Sequence, residues 1–409
     1  MKPDEDNKVL ILGATGNFGR KIARGLVAKN IAIIISGRQE EPLLALKKQL
    51  SKVAVDTCID ILCFDFKKRL SQELLRLRPP LVINASGPFQ TADFTTAINC
   101  ILLGINYIDL ADAREYVNDF SILEEQAIKK NCVAITGAST LPCLSSAVLN
   151  HYKDEFKTID SLVYGITLGQ KTERGLATFK SILSYVGKRF QDVRGISKKV
   201  YGWQDLYRQE YPLLGKRWMA NCEVPDLDLL PGFFPIKSIR FSAGIESSIS
   251  HLGLWFLSWL IRFKFPIKLE KHAEALLKFS HYFDSFGTDT GGMHMLMSGT
   301  DHKGNRKNIN WFLIAKEGDG LYIPAIPAIL LTKKILQEEI SETGAIPCMH
   351  LISLESYLAE LKKLDIHVFS EPLFLDLSWV LDKEPPYPSI NIDLSPLIAL
   401  GLASLKKKA

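Results

Sequence analysis

The clearest chemical pattern in the sequence is a set of three glycines, Gly13, Gly16 and Gly19, spaced three positions apart. They follow four apolar residues, 9–12, and precede an amphipathic run over residues 21–29. The order of strand, glycine turn and helix brings main-chain N–H groups and the positive end of a helix dipole to an anion. We therefore predict a loop that binds the diphosphate of a dinucleotide, formed by Gly13, Thr15, Gly16, Asn17, Phe18 and Gly19. The alternative is a tight turn without a ligand.

The end of the second apolar run, residues 31–36, indicates which dinucleotide to expect. An acidic residue there would hold the ribose hydroxyls of NAD, whereas an arginine can pair with the 2′-phosphate of NADP. Arg38 stands at this end, and Glu40 and Glu41 follow slightly later. We therefore expect NADP, with NAD as the alternative, because Arg38 could also be an exposed residue that begins the next helix.

A further coenzyme contact is predicted after the fourth apolar run, residues 81–84. Small residues follow this run, among them Ser86 and Gly87. Ligands of open parallel sheets bind at the carboxyl ends of the strands, where large side chains would fill the space that a cofactor needs. We therefore expect Ser86 and Gly87 to lie against the coenzyme.

The candidates for acid or base chemistry are less well defined. Tyr107, Asp109 and Asp112 lie near the carboxyl edge of the predicted sheet, and Lys171 and His294 could approach from the second half of the chain. No motif fixes a role for any of them, and each could instead make a structural hydrogen bond or pack in the core. The eight histidines form no HExxH pair and no Ser/His/Asp set is readable, so we expect neither a metal site nor a hydrolase.

The elements that must position these residues form an α/β pattern. Short apolar runs alternate with helical patterns and are never adjacent, which indicates a parallel sheet covered on both faces. We predict a Rossmann-type, doubly wound dinucleotide-binding domain over residues 1–150. The six predicted strands lie within residues 9–12, 31–36, 53–64, 81–84, 106–110 and 132–136.

Composition restricts the class of protein. The 409 residues are 47% hydrophobic and 23% charged, with a net charge of +5, as expected for a packed protein with two domains. A lysine tail at residues 406–408 is expected to be a solvated end, so nucleic acid is not an expected partner. Seven cysteines occur singly, without a CxxC pair, and the first eight residues are polar and charged. These features predict reduced thiols and a cytoplasmic location.

The strand-end motifs together resemble the saccharopine dehydrogenase-like oxidoreductase family. These motifs are GATGNFG, INASGPF, YIDLAD and GASTLPCLSS, and the similarity continues through segments such as RGLAT, VPDL and GAIPC, over residues 8–361. The resemblance implies a nicotinamide-binding domain joined to an α+β domain whose mixed sheet closes the active cleft. It does not imply that lysine or saccharopine is the substrate.

The second domain is predicted over residues 151–320 and is expected to bind substrate and to provide the contact surface of a homodimer. Strand candidates lie within residues 162–168, 236–241, 293–298 and 309–315. Residues 201–235, rich in aromatic residues and proline, are predicted to form an extended loop or lid. Arg174 precedes a helical run and could receive a substrate carboxylate, or lie at the surface beside a helix cap.

Residues 247–261 carry no formal charge and contain Trp255, Phe256 and Trp259, and Arg262 follows. This segment is shorter than the roughly 20 residues that a membrane-spanning helix needs. Two interpretations remain: a helix buried between domains or subunits, or an interfacial helix that brings residues 247–265 into peripheral contact with a membrane.

Residues 321–409 are predicted to be carboxyl-terminal helices that pack back on the first domain, with an irregular stretch at 372–388 and a small apolar helix at 394–405. The sequence as a whole predicts an NADP-dependent oxidoreductase that transfers hydride to or from a small-molecule imine, carbonyl or secondary amine. The alternative is a protein that binds NADP(H) without turnover and acts as a sensor or a membrane-associated interaction protein.

Overall fold

The fold is described from a computed structural model, which covers residues 7–190 and 200–371. The lysine tail, the irregular stretch at 372–388 and the predicted helix at 394–405 lie outside the described residues.

The first domain is built on parallel strands that alternate with helices. Its strands are β1 (Val9–Leu12), β2 (Ile33–Gly37), β3 (Ile59–Cys63), β4 (Leu81–Asn84), β5 (Asn106–Asp109) and β6 (Val133–Thr136). Its helices are α1 (Asn17–Val27), α2 (Glu40–Leu50), α3 (Phe66–Leu77), α4 (Thr95–Leu102), α5 (Arg114–Asp119), α6 (Glu124–Lys129) and α7 (Ser145–Tyr152). All residues of β1, β4 and β6 are buried, as expected for strands covered on both faces.

The strand order confirms the predicted doubly wound fold. The six strands run β6-β5-β4-β1-β2-β3, and every neighbouring pair is parallel. The order reverses between β1 and β4, so the carboxyl ends of these two strands flank the crevice in which such sheets bind ligands.

The second domain is built on a mixed sheet, as the family resemblance implied. The small strands β8 (Arg189–Phe190) and β9 (Val200–Tyr201) pair with each other outside this sheet. The sheet contains β7 (Thr158–Leu168), β10 (Tyr207–Tyr211), β11 (Gly215–Asn221), β12 (Ile239–Ile245), β13 (Gly291–Thr300), β14 (Arg306–Ala315) and β16 (Ile366–Glu371). Its order is β10-β11-β12-β7-β13-β14-β16, and β12 and β7 form its parallel pair.

The remaining helices are α8 (Leu176–Tyr185), α9 (Asp226–Phe233), α10 (Ser248–Arg262), α11 (Ala273–His281), α12 (Ile326–Leu336) and α13 (Leu354–Leu361). Both sheets are packed by apolar side chains that form one continuous core cluster across the domain boundary.

The prediction of an extended loop or lid over residues 201–235 is wrong. Strands β10 and β11 form an antiparallel hairpin at one edge of the mixed sheet, with Tyr207 opposite Met219. Buried and exposed residues alternate along β10, so Tyr207, Gln209 and Tyr211 face inward. This period of two is the signal of a half-buried strand, and the neighbouring prolines and aromatic residues concealed it.

The segment after residue 320 does not consist of helices alone. Strand β15 (Gly344–Pro347) extends the parallel sheet beside β6, and β16 pairs with β14 in the mixed sheet. Helix α12 lies against α1, where a Cβ added to Gly25 would come within 2.3 Å of Ile329 Cδ1. This part of the chain therefore adds one strand to each sheet.

Helix α10 is only half enclosed by the rest of the described residues. His251, Leu254 and Ser258 are buried, whereas Ile249 and Phe256 are 66% and 48% exposed. Its outer face is therefore apolar and is not covered by any of the residues that the structure describes. No helix of the described residues is long and apolar enough to cross a membrane.

Candidate active site

The glycine loop has the close backbone packing that its sequence indicates. Gly13 has a φ of +74°, in the left-handed region that favours glycine, and a Cβ there would lie 3.1 Å from Ser86 Cβ. A Cβ on Gly19 would lie 2.2 Å from the Gly13 carbonyl oxygen. Helix α1 can therefore pack tightly on the loop only because both residues lack a side chain.

The amino terminus of α1 is suited to an anion. Gly16 occupies the N-cap position, and no side chain accepts a cap hydrogen bond from the first turn among the described residues. Acidic residues are also absent from that turn. The first N–H groups of an α-helix lack partners within the helix, so those of α1 remain available to phosphate oxygens.

This helix terminus opens into a cavity of about 1500 Å³ between the two domains. Its volume exceeds the roughly 300–1,000 Å³ of a pocket for one drug-sized ligand, so it has room for a dinucleotide and a second molecule. The cavity is lined by Gly13, Thr15, Gly16, Asn17, Phe18, Arg38, Ser86 and Gly87. Gly19 is buried beneath the loop and contributes by allowing the helix to approach.

Positive charge collects at the end of β2. Arg38 is exposed there, lines the cavity and makes no hydrogen bond or ion pair within the described part of the chain. Lys67 and Lys68 of α3 line the same cavity. Glu40 and Glu41 lie in the first turn of α2 and do not line the cavity. The arrangement fits a phosphate group better than a pair of ribose hydroxyls.

A cluster of polar side chains on the cavity wall joins the two domains. From the first domain, Gln90 Nε2 donates to Asp112 Oδ1 at 3.0 Å. From α8, Ser181 Oγ donates to Asp112 Oδ2 at 3.1 Å and accepts from Gln90 Nε2 at 2.6 Å. Gln90 Nε2 also lies 3.3 Å from the Tyr185 hydroxyl. We call Asp112, Gln90, Ser181 and Tyr185 the polar cluster.

The polar cluster holds groups that can carry a proton. Asp112 is accessible from the cavity but surrounded by protein, and this burial raises the pKa of its carboxyl, opposed by the hydrogen bonds from Gln90 and Ser181. Burial also raises the pKa of the Tyr185 phenol, so that this group stays neutral. The cluster therefore combines a carboxyl group that takes up a proton more readily than usual with a phenol that keeps its own.

Two other candidates on β5, Asp109 and Tyr107, lie beneath the cavity wall. Asp109 Oδ1 accepts from Thr136 Oγ1 at 2.8 Å and from the Ala111 and Gly137 amides at 3.0 Å. Burial raises the pKa of Asp109 to about 6. The Tyr107 hydroxyl accepts from Asn84 Nδ2 at 3.1 Å. Asp109 ties together the loops after β5 and β6, and Tyr107 joins β5 to the end of β4. Neither side chain lines the cavity, where the predicted catalytic role would need it.

The predicted groups of the second domain also lie away from the reacting region. Lys171 is exposed and does not line the cavity. His294 is fully buried, with its Nδ1 2.7 Å from the Tyr211 hydroxyl, and burial lowers the pKa of its ring to about 3. The structure therefore places Lys171 outside the cavity lining and makes His294 a neutral core residue.

Arg174 lines the cavity but is already paired. Its guanidinium donates to Asp284 Oδ1 at 2.5 Å, and His281 Nδ1 lies 3.3 Å away. The arginine therefore holds α8 to the chain after α11. This pairing argues against the predicted contact with a substrate carboxylate.

Another ion-pair group, centred on Arg114, joins the first domain to the second. Arg114 at the start of α5 is 5% exposed and pairs with Asp228 of α9 and, at 3.3 Å, with Glu223. Glu223 and its neighbour Cys222 line the cavity. Burial raises the pKa of the Cys222 thiol to about 12, so this cysteine stays protonated and is not an activated nucleophile.

The site residues that sequence reasoning missed come from separate elements. Gln90 and Ser181 are 91 positions apart, and Tyr185 lies one helical turn beyond Ser181. Their spacing in the sequence carries no motif. The available signal was the helical period of α8, which places Ser181 and Tyr185 four residues apart on one face.

The fold and site define a dinucleotide-binding α/β protein with a second domain on a mixed sheet. Residues 9–135 match the family model described as saccharopine dehydrogenase NADP binding domain. The first domain therefore matches the NADP-binding domain of that family, which agrees with the resemblance predicted from the sequence. No match was found among curated proteins.

A solved structure extends the similarity of fold to most of the chain. Apo saccharopine dehydrogenase (L-Glu forming) from Saccharomyces cerevisiae is similar over 89% of this chain and 100% of its own, with 11% identity and a TM-score of 0.61. Amine dehydrogenase from Mycobacterium smegmatis is similar over 85% of this chain and 96% of its own, with 11% identity and a TM-score of 0.43. At this level of identity the match to saccharopine dehydrogenase shows the fold alone.

Proposed function

We propose that the protein is an NADP-dependent oxidoreductase that transfers hydride to or from an imine, carbonyl or secondary amine of a small molecule. The observation that carries the proposal is that one cavity contains the glycine loop, Arg38 and the polar cluster. A coenzyme bound at the loop would extend across the crevice between β1 and β4 toward the loops after β4 and β5.

In this proposal each part of the cavity has a separate task. The amides at the start of α1 hold the diphosphate, and Arg38 with Lys67 and Lys68 holds the 2′-phosphate. Bound NADPH would supply a hydride to the electrophilic carbon of a C=O or C=N bond. Asp112 in its protonated form donates the proton that the heteroatom gains, and Gln90 and Ser181 keep its carboxyl aimed into the cavity. The reverse reaction returns this proton to Asp112.

The test begins with coenzyme binding. We expect NADPH to stabilise the folded protein by about 2.7 kcal/mol at 100 times its dissociation constant, measured by thermal unfolding, with a weaker effect from NADH at the same concentration. A screen of aldehydes, ketones, imines and amines then follows nicotinamide absorbance. Stabilisation by NADPH without turnover of any compound would instead favour the NADP(H) sensor, and no stabilisation by either coenzyme would contradict both functions.

A further inference from the structure

The part of the cavity that adjoins the polar cluster is lined by apolar side chains. These side chains come from α8, from α10, and from α11 and the residues just after it. We call this part of the cavity the apolar branch, and it is lined by Phe179, Ile182, Leu254, Leu257, Leu276 and Phe283. Ile182 follows Ser181 in α8, so the branch starts beside Asp112. Helix α8 lines the cavity from Leu176 to Tyr185, a rise of about 15 Å.

The cations that line the cavity are not available to pair with an anion in the apolar branch. Arg38, Lys67 and Lys68 lie at the β2 end, and the Arg174 guanidinium is paired with Asp284. A substrate carboxylate in the branch would lose its hydration without gaining an unpaired cation among the described residues. The lining therefore favours an uncharged chain over an amino acid.

We propose that the substrate carries a long apolar chain that occupies the apolar branch, with its carbonyl or imine carbon beside Asp112. This inference rests on the proposed function and adds the substrate class. Ile249, Phe256 and Phe279 line the cavity and are also 66%, 48% and 58% exposed. The branch therefore opens to the outside through a mouth lined by apolar side chains, through which such a chain can enter.

Chain length provides the first test. Hexanol, octanol and decanol are each titrated into the protein in the presence of NADP⁺, and their affinities are measured by calorimetry. We expect each added CH₂ to tighten binding by about fourfold, equivalent to about 0.8 kcal/mol. Equal affinities across the series would overturn the inference.

Gly253 provides a variant that narrows the mouth with little effect on packing. It lies in α10 and lines the cavity, and a Cβ added there would meet nothing within 4 Å. Gly232 in α9 has the same open surroundings but does not line the cavity. We expect Gly253→Trp to weaken decanol binding at least tenfold and Gly232→Trp to leave it unchanged. Equal affinities in the two variants would contradict the assignment of the mouth.

These results are separable from the proposed function. NADPH binding to each variant is measured by calorimetry without any alcohol. If the unmodified protein does not bind coenzyme, the proposed function is refuted. If it binds coenzyme but its affinity for the alcohols does not depend on their chain length, only the apolar-chain substrate is refuted.

A different observation carries a second proposal, about the outer surface of α10 and α11. Six aromatic side chains are exposed there, which we call the aromatic face: Phe256, Phe263, Phe265, Phe279, Tyr282 and Phe286. Lys264, Lys268, Lys271 and Lys278 are exposed beside them and form no ion pair within the described chain. Glu270 is paired with Lys188, which leaves Glu274 as the nearby free acid on these elements.

We infer that the aromatic face docks on an anionic lipid surface. Aromatic side chains suit the headgroup region of a bilayer, and each lysine near an anionic surface strengthens binding by about fivefold. Charge complementarity therefore selects lipid phosphate over an uncharged apolar partner. This surface also surrounds the mouth of the apolar branch.

Flotation with vesicles tests the docking surface. We expect the protein to float with vesicles of phosphatidylglycerol and phosphatidylcholine, and to remain at the bottom with phosphatidylcholine alone or at high salt. Phe263→Ser with Phe265→Ser should abolish flotation, because both residues are half exposed on the aromatic face and neither lines the cavity. Leu75→Ser with Ile122→Ser, at exposed apolar positions elsewhere, should not. Absence of flotation would overturn the inference. A dimer in solution that is dissociated by Phe263→Ser with Phe265→Ser would also overturn it, because the aromatic face would then be a subunit interface.

Discussion

Replacing Arg38 with alanine is expected to weaken NADPH binding by about 10- to 100-fold and to change NADH binding by less than threefold. A hydrogen-bonded ion pair to a phosphate contributes about 1.5–3 kcal/mol, and NADH lacks the 2′-phosphate that Arg38 would hold. The guanidinium has no competing partner among the described residues, so its loss should leave the fold intact. Calorimetric titration with each coenzyme measures both effects.

Arg24→Ala is the matched control, because Arg24 is also an exposed arginine of the first domain and does not line the cavity. It should leave both affinities unchanged. Equal losses of affinity for NADPH and NADH in the Arg38 variant would contradict the NADP assignment. Unchanged affinity for both coenzymes would mean that the 2′-phosphate of NADPH binds away from Arg38. Raising the salt concentration should reduce the preference for NADPH, since an exposed ion pair is screened.

The first domain could be predicted closely because its signals are local. The glycine loop depends on residues within seven positions, and Gly13 and Gly19 are required by close contacts with Ser86 and with the loop backbone. The strands are short apolar runs, and the observed β4 coincides with the predicted residues 81–84. Buried parallel strands carry this pattern wherever they occur in the sheet.

The second domain shows the limit of local signals. Its four long strands were found because each is an apolar run, whereas the β10–β11 hairpin at the sheet edge alternates with charged residues such as Arg208 and Glu210. Strands β15 and β16 are short and depend on partners that come much earlier in the chain. Tertiary pairing decides such segments, and the sequence carries little independent sign of it.

The same limit applies to the chemistry. Asp109 ends strand β5 and Asp112 follows three positions later, and both were predicted as candidates for the acid or base. The structure separates them, because Asp109 faces the amides of the neighbouring loops while Asp112 faces the cavity. Backbone direction over these few residues decides between a structural and a chemical role, and residue type does not encode it.

Asp112→Asn is expected to lower the rate of reduction by roughly 10²- to 10⁴-fold, the usual contribution of a positioned proton donor, while coenzyme affinity stays within a factor of two. Because burial raises the pKa of Asp112, the protonated form persists to higher pH than in an ordinary aspartate. The rate of reduction should therefore fall as pH rises through that raised pKa, and the variant should lose this dependence. The measurement is NADPH oxidation against pH, using a compound from the screen that supports turnover.

Asp119→Asn, at an exposed aspartate outside the cavity, is the control and should keep the full pH profile. If the asparagine variant retained both the rate and the pH dependence, the proton would have to come from another group, and Tyr185→Phe would be the next variant to measure because Tyr185 belongs to the same hydrogen-bonded cluster.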